Sequence, residues 1–184
     1  MAVTTPFAAI VLTGGKSRRM GSDKAQALWD GVRAVDRVVA LAQACGAARL
    51  ITVGLQDYGL THVSDPTPHG GPVGGLLAGA RMLAEAGLTR LLILAVDAPT
   101  ILARDLADIL NQPSPGAAYE GLPLPMVLDL AFLPAEAEAA WPLARFVERA
   151  GLRLLPCPMD RLARLRGANT PEERDALILS LRRG

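Results

Sequence analysis

The chain has 184 residues, of which 51% are hydrophobic, and its formal net charge at neutral pH is +1. This length is typical of one domain, and the apolar content is enough for a full core, which excludes an intrinsically disordered protein. The small net charge argues against nucleic-acid-binding and membrane-surface proteins, because both usually carry a basic excess. We therefore expect a single domain over residues 1–184, with neither nucleic acid nor a membrane as its partner.

The N-terminus and the cysteines indicate where the protein resides. The opening MAVTTPF lacks the charged and apolar regions of a signal peptide, and no apolar run has the length of a transmembrane helix. Cys45 and Cys157 lie far apart and belong to no metal-ligand pattern, which is typical of free thiols in a reducing compartment. A cytoplasmic location is the expectation.

Apolar runs bounded by turn residues alternate with helical patterns along the chain. The sequence predicts strands at 7–13, 48–54, 60–65, 89–97, 116–119, 123–130 and 152–158. It predicts helices at 32–45, within 66–87, and at 103–112, 134–151 and 171–183, with an interruption at Pro142 left open in the fourth of these. This alternation predicts an α/β fold, a Rossmann-like three-layer sandwich whose mostly parallel sheet is covered on both faces.

Residues 11–25 read VLTGGKSRRMGSDKA and predict a polyanion site at the end of the first strand. Gly14 and Gly15 let backbone N–H groups face an anion closely. Three cations that can neutralise phosphate charge follow within four residues: Lys16, Arg18 and Arg19. The stretch is not a Walker A loop, which needs Gly-Lys followed by Ser or Thr, and it lacks the G-x-G-x-x-G of a dinucleotide site.

Asp97 directly follows a strong apolar run, so its carboxylate emerges at the carboxyl end of a strand. Ligands of open α/β sheets lie beyond these ends, which places residues 14–24, 65–75 and 97–99 in one crevice. Mg²⁺ in phosphate chemistry is usually held by one or two carboxylates together with substrate phosphates. The other role open to Asp97 is to cap the helix predicted to begin near Ile101.

Four segments in chain order resemble the MobA-like nucleotidyltransferase family, whose members make the molybdenum cofactor dinucleotide. Residues 12–24 are similar to its L-x-G-G-x-S-x-R-M-G-x-D-K pattern. Asp65 and the run GGPVGG at 70–75 resemble the loop that this family places beside the nucleoside. The V-D-A-P of 96–99 is similar to the family's C-D-x-P, and the N-T-P-E-E of 169–173 matches its last motif.

The resemblance implies a GT-A-like nucleotidyltransferase that uses Mg²⁺ to transfer GMP from GTP to molybdopterin or the molybdenum cofactor, releasing pyrophosphate. It implies catalytic roles for Arg19, Lys24 and Asp97, and metal contacts from Asp97 and Asn169. It implies this nucleotide-binding set: Leu12, Thr13, Gly14, Gly15, Lys16, Ser17, Arg18, Lys24, Asp65, Gly71 and Asp97. It also implies transient contact with molybdenum cofactor biosynthesis or acceptor proteins.

The chain departs from the family pattern at two places. Gly167 stands where the family has an Asn, and Leu122–Pro125 make the acceptor side unusually apolar. A molybdopterin cytidylyltransferase, or another sugar- or cofactor-phosphate nucleotidyltransferase, therefore stays open, although the G-G and D-K spelling favours the guanylyltransferase. A non-catalytic nucleotide-binding regulatory protein, which would bind nucleotide without releasing pyrophosphate, also stays open.

Overall fold

A computed structural model describes residues 6–14, 23–66, 71–168 and 170–181. Its strands are β1 Ala8–Leu12, β2 Leu28–Trp29, β3 Val32–Arg33, β4 Arg49–Gly54, β5 His62–Ser64, β6 Arg90–Ala95, β7 Gly116–Tyr119, β8 Leu122–Asp129 and β9 Arg153–Leu155. Its helices are α1 Ala34–Ala44, α2 Pro72–Glu85, α3 Ala103–Leu110, α4 Leu143–Arg149, α5 Met159–Arg166 and α6 Pro171–Leu181. No helix within the described ranges is both long and apolar enough to cross a bilayer.

Seven of these strands form one sheet in the order β5-β4-β1-β6-β8-β7-β9. β1 lies between β4 and β6 and runs parallel to both, with Ile10 opposite Ile51 on one side and Ile93 on the other. β8 pairs antiparallel with both of its neighbours, and β7 pairs parallel with β9. The predicted mostly parallel sheet is confirmed.

Helices cover both faces of the sheet. Phe7, Ala9 and Val11 of the first strand segment pack into a cluster with buried residues of α1, α3, α5 and α6. The alternating residues Ile10 and Leu12 pack on the other face with α2 and α4. Burial on both faces explains why β1 and β6 read as continuous apolar runs rather than as alternating patterns.

The helix predicted over 134–151 is wrong in its first half, and the break falls at Pro142, the interruption that the sequence had left open: the helix begins at Leu143. The missing N–H and fixed φ of proline favour a helix start at this point over continuation through it. The helix predicted to begin at residue 32 begins at Ala34 instead. Val32–Arg33 are not helical because they pair with Leu28–Trp29 in a hairpin. Its Asp30-Gly31 turn has positive φ at both residues, a strong hairpin signal that the sequence analysis overlooked.

Helix α5 was also missed. Its sequence MDRLARLR is dominated by polar residues, and only Leu165 of its side chains is buried. An apolar stripe of normal width is therefore absent from this short helix, and periodicity could not reveal it.

Candidate active site

The carboxyl ends of β1 and β4 meet in direct contact at one edge of the sheet. The amide and the hydroxyl of Thr13 both donate to the Val53 carbonyl, at 2.9 Å and 3.1 Å. A Cβ at Gly54 would overlap Thr13 Oγ1, so this position has room only for glycine. Thr13 and Gly14 are thereby fixed at the floor of the predicted crevice.

Asp65 stands next to this floor, directly after β5. Its amide donates to the Gly54 carbonyl at 2.9 Å. The Asp65 carboxylate lies close to two glycines. A Cβ atom placed on Gly14 would be 4.0 Å from Asp65 Oδ2, and one placed on Gly74 would be 3.7 Å from Asp65 Oδ1. Gly71 is the N-cap of α2. The structure therefore brings Gly14, Asp65 and the start of α2 together, as the sequence predicts.

The Asp23 side chain, next to Lys24, is held by a residue that the sequence analysis missed. The Tyr58 hydroxyl donates to Asp23 Oδ2 at 2.8 Å, and the other oxygen of that carboxylate accepts from the Ala25 amide at 3.0 Å. Burial, and then the hydrogen bond to Asp23, raise the pKa of Tyr58, so the phenol keeps its proton as a donor. Tyr58 thus fixes the turn from which Lys24 projects.

Lys24 and Asp97 line the same narrow cavity, together with Trp29, Thr170 and Arg174. Burial raises the pKa of Asp97, while the positive charge of Lys24 acts in the opposite direction. A partly desolvated carboxylate of this kind is stabilised as an anion by any cation that binds beside it. The predicted proximity of Lys24 to Asp97 is confirmed by this shared cavity.

The backbone of Asp97 is locked to the segment that follows α5. The Ala168 amide donates to the Asp97 carbonyl at 3.1 Å. Gly167 has φ +72°, and a Cβ there would overlap the Asp97 carbonyl oxygen. Any side chain at position 167 would therefore need positive φ and would push the two segments apart. The departure from the family Asn has this physical reason in the present chain.

A second cleft, of about 200 Å³, opens on the other side of Asp97. Its walls are mostly apolar and include Ile101, the Leu122–Pro125 turn and Leu165. Asp97 and Arg166 are the charged residues of this lining. Asp97 therefore lies between a cavity that it shares with Lys24 and a cleft formed largely by the β8 side of the sheet.

The described part of the predicted site converges at one edge of the sheet: Leu12, Thr13, Gly14, Lys24, Asp65, Gly71 and Asp97. The side chain of Leu12 is buried in the core, so that residue contributes position rather than a polar group. The remaining predicted site residues lie outside the described ranges: Gly15, Lys16, Ser17, Arg18, Arg19 and Asn169.

The donor chemistry of this edge fits Mg²⁺. No group of three or more His, Cys, Asp or Glu side chains within the described residues could hold an ion by itself. Asp97 offers one hard oxygen ligand, partly desolvated and open to two cavities. A single carboxylate is what Mg²⁺ uses when substrate phosphates and water supply most of its ligands.

The sheet order, the glycine-lined edge and the cavity shared by Lys24 and Asp97 define an α/β protein with a crevice at the carboxyl ends of its strands. The model of the MobA-like NTP transferase domain matches residues 9–140. The chain belongs to this family of nucleotidyltransferases.

Two relatives and two solved structures show the extent of the similarity. A molybdenum cofactor guanylyltransferase of Xanthomonas euvesicatoria pv. vesicatoria is 35% identical over 71% of this chain and 68% of its own length. A probable molybdenum cofactor guanylyltransferase of Opitutus terrae is 29% identical over 92% of this chain and 93% of its own.

Among solved structures, a nucleotidyl transferase from Methanothermobacter thermautotroptrophicus superimposes with a TM-score of 0.72 at 18% identity, covering 95% of this chain and 99% of that one. Molybdopterin-guanine dinucleotide biosynthesis protein A from Archaeoglobus fulgidus gives 0.57 at 16% identity, covering 96% of this chain and 100% of that one. These two likenesses establish the shared fold.

Proposed function

We propose that the protein transfers GMP from GTP to the phosphate of molybdopterin or the molybdenum cofactor, with release of pyrophosphate. The observation that carries the proposal is the cavity shared by Lys24 and Asp97 at the carboxyl ends of the strands, where open α/β sheets bind their ligands. The names of the Xanthomonas and Opitutus relatives supply the guanine nucleotide and the molybdenum cofactor as substrates.

The residues suit phosphate transfer that needs no protein base. The acceptor phosphate is already anionic near neutral pH, so it can attack the α-phosphorus without losing a proton to a side chain. The main barrier is the repulsion between two approaching phosphates, which positioned cations and N–H groups reduce. Lys24 is proposed to neutralise the triphosphate in both the ground state and the transition state, and Arg19 to act with it.

Asp97 and Asn169 are the residues that would hold Mg²⁺. When bound, Mg²⁺ would neutralise phosphate charge and orient the triphosphate for in-line displacement. Asp97 lines both the cavity beside Lys24 and the apolar cleft, so a triphosphate bound near Lys24 and an acceptor in the cleft would both lie close to Asp97. The backbone of Thr13 and Gly14, with Asp65 and Gly71, is proposed to border the nucleotide.

The test is to incubate the protein with each of the four NTPs, Mg²⁺ and molybdopterin, and to identify the products by mass spectrometry. We expect pyrophosphate and a guanine dinucleotide with GTP, and little product with the other nucleotides. A cytosine dinucleotide would make the protein a cytidylyltransferase instead. Tight GTP binding without pyrophosphate release, under conditions where a known guanylyltransferase turns over, would favour a regulatory protein.

A further inference from the structure

We propose that Arg166 binds the phosphate of the acceptor, and that the apolar walls of the second cleft receive the ring body to which this phosphate is attached. The ligand class is a phosphate monoester carried on a fused heterocycle, whose ring faces can lie against the apolar walls while its polar edge stays accessible. The inference rests on the proposed function, because it concerns the acceptor side of the same site.

The cleft has the composition that such a ligand requires. The Leu122–Pro125 turn, Ile101 and Leu165 provide apolar surface, and Arg166 is the cation of the lining. Apolar walls with a small number of placed polar groups are typical of small-molecule sites, where the polar groups fix orientation. A ligand without an anionic group would leave Arg166 unused, and a fully polar one would not match the walls.

Arg166 differs from the other arginines of α5 because it has no partner among the described residues. Arg164 donates two hydrogen bonds to Asp105, each 2.8 Å long, and Arg161 pairs with Asp108 at 2.8 Å. These two arginines are occupied in joining α5 to α3. The Arg166 guanidinium makes no hydrogen bond or ion pair with any described side chain, although it lines the cleft that contains Asp97.

The position of Arg166 is held from both sides. Leu165, the preceding residue, is only 2% exposed and belongs to the core. Gly167, the following residue, packs against the Asp97 carbonyl, where no Cβ would fit. The backbone of Arg166 is therefore fixed next to the strand end that carries Asp97, and the residue is an exposed part of the cleft lining.

Charge explains why a cation is needed at this place. Asp97 and Arg166 line the same cleft, so an acceptor phosphate that enters it approaches a carboxyl group as well as a guanidinium. A guanidinium binds phosphate through parallel N–H donors and keeps its own charge at every relevant pH. Arg166 would offset the repulsion between the acceptor phosphate and Asp97 before transfer begins.

The experiment compares Arg166→Gln with wild type in binding two ligands, molybdopterin and dephosphorylated molybdopterin, followed by pterin fluorescence. We expect the variant to bind molybdopterin about tenfold to a hundredfold more weakly, and to bind the dephosphorylated ligand as the wild type does. GTP affinity and the melting temperature should not change. Arg166→Lys, which keeps the charge, should recover part of the loss.

Arg104→Gln is the matched control, because Arg104 is an exposed arginine of α3 outside the lining of the cleft. It should bind both ligands as the wild type does. Equal molybdopterin affinity in wild type and Arg166→Gln would overturn the inference, and so would an equal loss for both ligands. A wild type that binds molybdopterin through its phosphate and Arg166 could still make no dinucleotide. That result would support the inference and contradict the proposed transfer.

Discussion

The two halves of the sheet offer different chemistry to the same crevice. The parallel half (β5, β4, β1 and β6) ends in glycines and charged side chains, with Asp65 and Asp97 at its edge. The mixed half (β8, β7 and β9) contributes the apolar Leu122–Pro125 turn. The comparison teaches that, under the proposed function, the parallel half supplies the groups suited to the triphosphate shared by all nucleoside triphosphates. The mixed half supplies most of the surface that would distinguish one acceptor from another.

The two halves meet at Asp97. Its side chain borders both cavities, and its carbonyl accepts the Ala168 amide from the segment after α5. Helix α5 is in turn tied to α3, the helix that follows β6, through the ion pair of Arg164 with the fully buried Asp105. Variants at this junction test whether the two halves of the sheet act separately. Variants within one half test the role proposed for that half alone.

Asp97→Asn should have the largest effect, because Asp97 serves both halves. We expect turnover to fall by about a thousandfold, which is about 4 kcal/mol of transition-state stabilisation. Asn caps helices as well as Asp does, so a structural role alone would predict little change. The measurement is pyrophosphate release as a function of Mg²⁺ concentration. Wild-type turnover with the same Mg²⁺ dependence would remove Asp97 from the site.

The same variant makes a separate prediction about stability. Because folding raises the pKa of Asp97, the folded state holds its proton more tightly, and this group's contribution to stability is lost as pH rises through that pKa. At neutral pH the buried charge is therefore unfavourable, so Asp97→Asn should melt at or above the wild-type temperature. A marked loss of thermal stability would show that the carboxylate supports the fold instead.

Asp105→Asn should have the next largest effect, on stability rather than on chemistry. Loss of its charge leaves the Arg164 guanidinium with a weaker partner, and breaking a buried pair in this way costs about 3 kcal/mol. Urea unfolding measures the cost. The separate roles of the two halves predict that the still-folded variant binds GTP normally and molybdopterin weakly, because α5 carries Arg166.

Asp108→Asn is the matched control for this variant, because it breaks the exposed ion pair between Arg161 and α3 and should change stability far less. The pH dependence is a further check. Burial alone would raise the pKa of Asp105, but the hydrogen bonds from Arg164 and Leu102 lower it overall. Its contribution is therefore present at neutral pH and is lost as pH falls through that lowered pKa. Equal stability of Asp105→Asn and wild type at neutral pH would contradict the assignment.

Local patterns in the sequence were enough to predict the parallel half of the molecule. Asp97 could be placed because it follows an apolar run, and the edge where parallel strands end is fixed by the fold. Pairings between distant residues could not be predicted, because neither partner carries a signal of its own. Tyr58 and Asp23 are 35 positions apart, and Arg164 and Asp105 are 59 apart. The polar helix α5 was missed for the related reason that long-range ion pairs, rather than an apolar stripe, hold it.

Tyr58→Phe should have the smallest effect and tests the internal order of the parallel half. The change removes one hydroxyl, which donates to Asp23, and leaves the ring in place. The loss of one such hydrogen bond is worth about 0.5–1.5 kcal/mol, so GTP affinity should fall by roughly twofold to tenfold.

If Tyr58 acts by positioning Lys24, the two residues should not contribute independently. GTP titration calorimetry on Tyr58→Phe, Lys24→Ala and the double variant forms the cycle. We expect Lys24→Ala to lose more than Tyr58→Phe, and the double variant to lose no more than Lys24→Ala alone. Full additivity would show that Tyr58 acts on the nucleotide independently of Lys24, and an unchanged affinity in Tyr58→Phe would show that the Asp23 turn holds its place without the phenol.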